Sequence, residues 1–176
     1  MSKHLIATLS GADRVGFVEN VTKRVFEFGA NVEQSRMVRL GGEFSVIMLI
    51  SVEDGAYSGL QAGIQKLTDE GFHVSTRETV VSPSKYDGWL PYTIEVNGAD
   101  HEGIIHTVTG SLAERGINIE SLSTGRVPAP MSGTPLFTMT AVVVAPPAVT
   151  LTALRAALGS LGEKLNVDTD VEPFAG

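Results

Sequence analysis

Leu5, Ala7 and Leu9 alternate with more polar neighbours, the period-two pattern of a strand with one buried face. Gly11 to Gly16 interrupts it, and apolar residues resume at Val18, Val21, Val25 and Phe28 with the period of a helix. Gly29 stands where a C-cap glycine ends that helix, and Val32 to Leu40 and Glu43 to Val52, joined by Gly41-Gly42, predict a β-hairpin. Leu60, Ile64 and Leu67 space out a second helix stopped by Gly71, and the β-rich run Phe72 to Val81 completes a βαββαβ order. The C-terminal half repeats it: strand Tyr92 to Val96, helix Ile104 to Arg115, strands from Ile117 and from Leu136, helix Leu151 to Leu161, strand Leu165 to Glu172. The expected fold class is α+β, with two ferredoxin-like βαββαβ units in tandem, each an antiparallel sheet with its helices on one face.

The two halves are copies at an offset of 87 residues. Gly11-Ala12-Asp13-Arg14-Val15-Gly16 recurs as Gly98-Ala99-Asp100-His101-Glu102-Gly103, and without a gap Val21-Thr22 meets Val108-Thr109, Glu27 Glu114, Gly29 Gly116, Asn31 Asn118 and Glu33 Glu120. Ten identities in 23 positions mark a true repeat. The Pro, Gly and Ser punctuation between the copies reads as a linker, which places a first domain at residues 1–85, a connection at 86–91 and a second domain at 92–176. Each half is small for a lone domain, so self-association as a homodimer or higher oligomer is expected.

The central strands sharpen that expectation. Phe44, Val46, Met48 and Ile50 point one way while Ile47 and Leu49 point the other, and Met139, Ala141 and Val143 oppose Val142 and Val144. A sheet covered by helices on one face should alternate more cleanly, so the favoured reading is a second face packed against another unit.

Among 176 residues there is no cysteine, which removes disulfides, thiolate nucleophiles and Cys-ligated metals. A formal charge of −7 disfavours direct binding to nucleic acid or anionic lipid, both of which are held through phosphates. The apolar runs Val46 to Ile50 and Ala141 to Pro147 fall far short of the ~20 residues of a membrane span, and the N-terminus lacks a signal-peptide core. A cytoplasmic protein is expected.

Between the first strand and first helix of each unit lies an Asp-x-x-Gly turn, Asp13 to Gly16 and Asp100 to Gly103, followed by Gly-x-Asn at Gly29 and Gly116. This arrangement resembles the ACT domain, a family that binds small ligands, usually amino acids. The tandem, with Ala129-Pro130-Met131-Ser132-Gly133-Thr134-Pro135-Leu136-Phe137 between strands two and three of the second unit, is similar to the glycine cleavage system transcriptional repressor group. The resemblance implies a non-catalytic, amino-acid-sensing regulatory protein. It would modulate transcription of amino acid (glycine) metabolism through a protein partner such as a transcriptional activator, with glycine as the ligand and no cofactor. The alternative is an ACT-fold interaction module that binds no metabolite.

The chemistry of the turns can be read independently of that likeness. Gly16 and Gly103 let the backbone approach a ligand, and the first amides of the following helices, at Phe17 and Val18 or Ile104 and Ile105, suit a carboxylate. Asp13 and Asp100 can accept from an α-ammonium, and Asn31 and Asn118 offer both donor and acceptor. Arg14 and His101 occupy the same place in the two copies, so the two sites would differ in charge, and a histidine, whose ordinary pKa is close to neutral, could lend pH sensitivity. The same residues admit a plainer reading: Asp13 and Asp100 as helix N-caps, which accounts best for each Asp taken alone, the asparagines as turn residues, and His101 as an ordinary loop residue. Phe17 departs from the aliphatic residue usual after this glycine in ACT domains. In the Pro-rich loop, Pro128, Pro130, Met131, Ser132 and Gly133 are the expected partner-binding residues, as a regulatory contact or as a lid.

Enzymatic readings lack an anchor. His101, Glu102 and His106 miss the zinc-protease helix by one position, since the second His must stand at i+4. Asp168 to Glu172 departs from the phosphoaspartate phosphatase pattern, and Arg14, the one candidate for an acylphosphatase-like phosphate site, sits beside Asp13, which repels phosphate.

Overall fold

A computed structural model of the chain describes residues 2–81, 84–128 and 135–174. Two compact units divide it, Met1–Ser82 and Pro83–Gly176. The first runs β1 (Ser2–Ala12), α1 (Phe17–Glu27), β2 (Asn31–Leu40), β3 (Glu43–Glu53), α2 (Tyr57–Gln65) and β4 (His73–Thr79), with short 3₁₀ segments at Asp54–Ala56 and Lys66–Glu70 flanking α2. The second runs β5 (Leu90–Ala99), α3 (Ile104–Glu114), β6 (Asn118–Pro128), β7 (Pro135–Ala145), α4 (Leu151–Leu165) and β8 (Val167–Pro173). The strand orders are β2-β3-β1-β4 and β6-β7-β5-β8, antiparallel throughout, so each unit is the expected βαββαβ sheet.

Elements differ from their sequence patterns mainly at their ends. β5 opens at Leu90, which pairs with Ala145, so Leu90 and Pro91 belong to a strand and not to the connection. Helix α4 extends through Leu165 because Asn166, at φ 52°, supplies the left-handed residue that ends it.

In the first unit the buried face of β1 and β3, Leu5, Ala7, Leu9, Val46, Met48 and Ile50, packs with Val21 and Val25 of α1 and Leu60 and Ile64 of α2. In the second, Ile94, Val96, Met139, Ala141 and Val143 pack with Val108 and Leu112 of α3 and Leu154 and Leu158 of α4. Burial of this size stabilises each unit by roughly 25 cal/mol per Å² of apolar surface removed from water. Within each unit the helices leave the opposite sheet face uncovered, with Ile47 47% exposed and Val142 and Val144 half-buried.

Both β2 and β6 carry a bulge at the same place, between Val32 and Gln34 and between Ile119 and Ser121. The extra residue is Glu33 in one copy and Glu120 in the other. A bulged position leaves the ladder, which gives this repeated glutamate a geometric reason.

Candidate functional site

In each unit the strand-to-helix elbow is built the same way. Gly16 (φ 88°) and Gly103 (φ 90°) are themselves the N-caps of α1 and α3, in the left-handed region, and neither helix has a side-chain cap. The first amides of each helix therefore keep no partner from a capping side chain.

This corrects the capping assignment for Asp13 and Asp100, whose carboxylates go to arginines instead. Arg126 Nε donates to Asp100 Oδ2 at 2.7 Å, and Arg39 Nε donates to Asp13 Oδ2. The same aspartates donate their backbone N–H to the end of the neighbouring hairpin, Asp13 to Gly42 O at 2.9 Å and Asp100 to Pro135 O at 3.5 Å. Each Asp thus ties elbow to hairpin by main chain and side chain together. Arg39 and Arg126 were missed as site residues although they too stand 87 apart; extending the ungapped comparison six residues past Glu33 and Glu120 reaches them.

Arg14 and His101 also hold equivalent posts, each turned toward the last carbonyl of its unit's second helical segment. Arg14 Nη1 donates to Glu70 O at 3.5 Å, with its guanidinium 3.7 Å from the Glu70 carboxylate and 4.5 Å from the centroid of the Phe72 ring. Glu70 also accepts from Asn20 at 2.5 Å and from Arg24 at 3.2 Å, and these bonds hold its carboxyl below the usual carboxylate range. His101 Nε2 lies 2.7 Å from Leu165 O and Nδ1 3.0 Å from Glu102 O. Only the imidazolium can donate to both carbonyls, and these two bonds, with Asp100 nearby, push the His101 pKa up. A cation at that helix end also complements its dipole.

The surroundings of the two elbows differ. Beside the second lies an open groove of about 580 Å³ bordered by Asp100, His101, Gly103, Ile104 and Ile105. Glu102, His106, Thr124, Arg126 and Phe137 complete it. In the first unit Phe17 is buried, with its ring 4.7 Å from that of Phe44 and 4.6 Å from that of Phe72. The equivalent positions in the second unit are Ile104, Phe137 and Val167, with less side-chain volume. Phe17 fills the base of its elbow as a core residue, and Val18, 39% exposed, is left at the surface.

Neither asparagine joins the elbow of its own unit. Asn31 pairs across β3 with Ser51, next to His4 of β1, whereas the elbow begins at Gly11 beside Phe44. The separation is seven strand residues, about 23 Å. Asn118 likewise opposes Val144 and Pro91, at the far end of β5 from Gly98, and its Oδ1 accepts from Tyr86 Oη at 2.9 Å. Of the expected partner residues, Pro128 ends β6 and pairs with Pro135, while Pro130, Met131, Ser132 and Gly133 lie outside the described residues.

Comparison with known proteins matches this architecture. ACT-domain models match residues 3–75 and again residues 92–159. The chain is a tandem ACT-domain protein. Over 129 residues it is 30% identical to the glycine cleavage system transcriptional repressor of Escherichia coli (strain K12), a match spanning 72% of this chain and 66% of that one. Over nearly its whole length it resembles the crystal structure of an unknown protein from Galdieria sulphuraria, with 34% identity, a TM-score of 0.82, and 99% of this chain and 100% of that one covered. A crystal structure of a candidate glycine cleavage system transcriptional repressor shares the fold, at 23% identity and a TM-score of 0.74, covering 100% of this chain and 99% of that one.

Among the described residues of this tandem ACT protein no three or more of His, Asp and Glu are placed to hold a metal ion, and no helix is long and apolar enough to cross a membrane.

Proposed function

We propose that this chain is a non-catalytic, amino-acid-sensing regulatory protein of the cytoplasm, modulating transcription of amino acid (glycine) metabolism through a protein partner. The observation that carries the reading is the groove beside Gly103, where an anion-seeking helix start, Arg126 and the Asp100 carboxylate border one open space. A zwitterion there would set its carboxylate toward the amides of Ile104 and Ile105 and toward Arg126, and its ammonium toward Asp100. Glycine is the ligand suggested by the relatives, and the chain's own residues suit any small amino acid. Partner contact is assigned to the connection between β6 and β7, next to Pro135, whose carbonyl accepts from the Asp100 N–H, and occupancy would be transmitted by linkage, favouring the arrangement that binds ligand better. Copies of the chain are further proposed to self-associate.

The first elbow favours a second reading for its own unit, that of an interaction module without a metabolite. Phe17 is packed between Phe44 and Phe72, and Arg14 is engaged by Glu70 and Phe72.

Thermal shift and calorimetry against the twenty amino acids test both readings. A ligand at 100 times its Kd stabilises by about 2.7 kcal/mol. The expected result is a specific response lost in Asp100→Asn and retained in Asp13→Asn; a flat panel would leave only the interaction module.

A further inference from the structure

Three central rows of the outer sheet faces carry opposite charge in the two units. In the first unit, rows run Gln34–Leu49–Ile6–Arg77, Arg36–Ile47–Thr8–Ser75 and Val38–Ser45–Ser10–His73 across β2, β3, β1 and β4. These rows hold two arginines and no carboxylate around an apolar centre in which Ile47 is 47% exposed. In the second unit the rows are Ser121–Val142–Thr93–Glu172, Ser123–Thr140–Glu95–Asp170 and Gly125–Thr138–Asn97–Asp168. These hold four carboxylates and no cation. Where one copy of the fold has Arg77 and His73, the other has Glu172 and Asp168.

Each face alone is poorly compensated. Glu95 and Asp170 are directly opposed on adjacent antiparallel strands, a like-charge pair that costs stability. Arg36 donates only to the carbonyl of Ser35, and Arg77, Glu95 and Asp168 have no ionic partner among the described residues. Among the described residues Arg155, at 3.4 Å from Glu172, is the sole cation paired with the acidic rows.

We infer that the outer sheet face of the first unit docks on the outer sheet face of the second unit of another copy of this chain. In the proposed dimer the contact is made twice, the first unit of each chain on the second unit of the other. Apolar area comes from Ile6, Ile47 and Leu49 meeting Val142, and Arg36 and Arg77 face the carboxylates of Glu95, Asp170 and Glu172. Four strands about 4.8 Å apart over some 20 Å of length present roughly 400 Å² per face, and two reciprocal contacts remove about 1,600 Å² in total, the size of a stable interface. This surface deepens the self-association proposed above and is independent of the amino-acid groove.

Sedimentation of the full-length chain over a wide concentration range, at low and at high salt, reads the contact. The wild type is expected to be a dimer at low salt, with an affinity that falls as salt screens the charges. Arg36→Glu with Arg77→Glu, or Glu95→Arg with Glu172→Arg, is expected to weaken it about 100-fold, since like charges then meet. An equimolar mixture of the two double variants restores both contacts and should give a dimer containing one of each. All four positions are exposed, and circular dichroism confirms that each variant folds. A wild type that stays monomeric throughout would overturn both the self-association and this surface. A dimer whose mass survives either reversal, or a mixture that fails to re-form it, would overturn the surface alone.

Discussion

Asp100 accepts from Arg126 at 2.7 Å, and the same pair recurs one repeat earlier as Asp13 with Arg39. Asp13 and Asp100 open the β-to-α elbow, whereas the arginines lie near the ends of β2 and β6, so each pair closes the elbow against the hairpin. Because Arg126 is 75% and Arg39 65% exposed, the pairs are partly screened and their value is modest. A double-mutant cycle on Asp100→Asn and Arg126→Gln, by urea unfolding, should give a coupling of about 0.2–1 kcal/mol that shrinks in high salt.

His101 should make stability depend on pH. Its folded pKa is raised above the ordinary imidazole value of 6.5 by bonds to the carbonyls of Leu165 and Glu102. The contribution is therefore fully present below about pH 6.5 and is lost as pH rises through the folded value. The melting temperature of the wild type relative to His101→Gln should be highest in mild acid and converge in mild alkali; a gap that widens with pH would contradict the contact.

Gly98 is required for a close approach of strands β5 and β8. A Cβ there would stand 2.8 Å from the Cα of Val167 and 3.0 Å from the carbonyl oxygen of Asn166, both main-chain atoms with little room to yield. Gly98→Ala should cost about 1–3 kcal/mol, measured by denaturant unfolding, as overpacking does. Gly11, its counterpart, would meet mainly the Phe72 ring edge at 3.1 Å, so Gly11→Ala should cost less.

Phe17 distinguishes the elbows by volume. It is 2% exposed and sits among aromatic rings, so Phe17→Ala should cost about 3–5 kcal/mol. Calorimetry should find the loss in the first unit's unfolding, with any amino-acid response at the second elbow unchanged.

Much of this protein was legible without coordinates. Local periodicity names strands and helices because each element must present an apolar face, and Gly29, Gly41-Gly42 and Gly71 mark ends because only a side-chain-free residue takes positive φ cheaply. The repeat exposed the two-unit order and both elbows, since recurring residues reflect a recurring backbone.

What the chain's linear order could not disclose depends on register. Which arginine meets Asp13 or Asp100, and that Asn31 and Asn118 lie at the far end of the sheet from their own elbows, follow from antiparallel pairing between segments distant in sequence. The opposed charges of the two sheet faces emerge only when β4 and β8 are set beside β1 and β5. Composition and periodicity thus determined the elements and their order, while tertiary pairing alone decided which polar side chains meet, because hydrogen-bonded register and not sequence proximity brings them within reach.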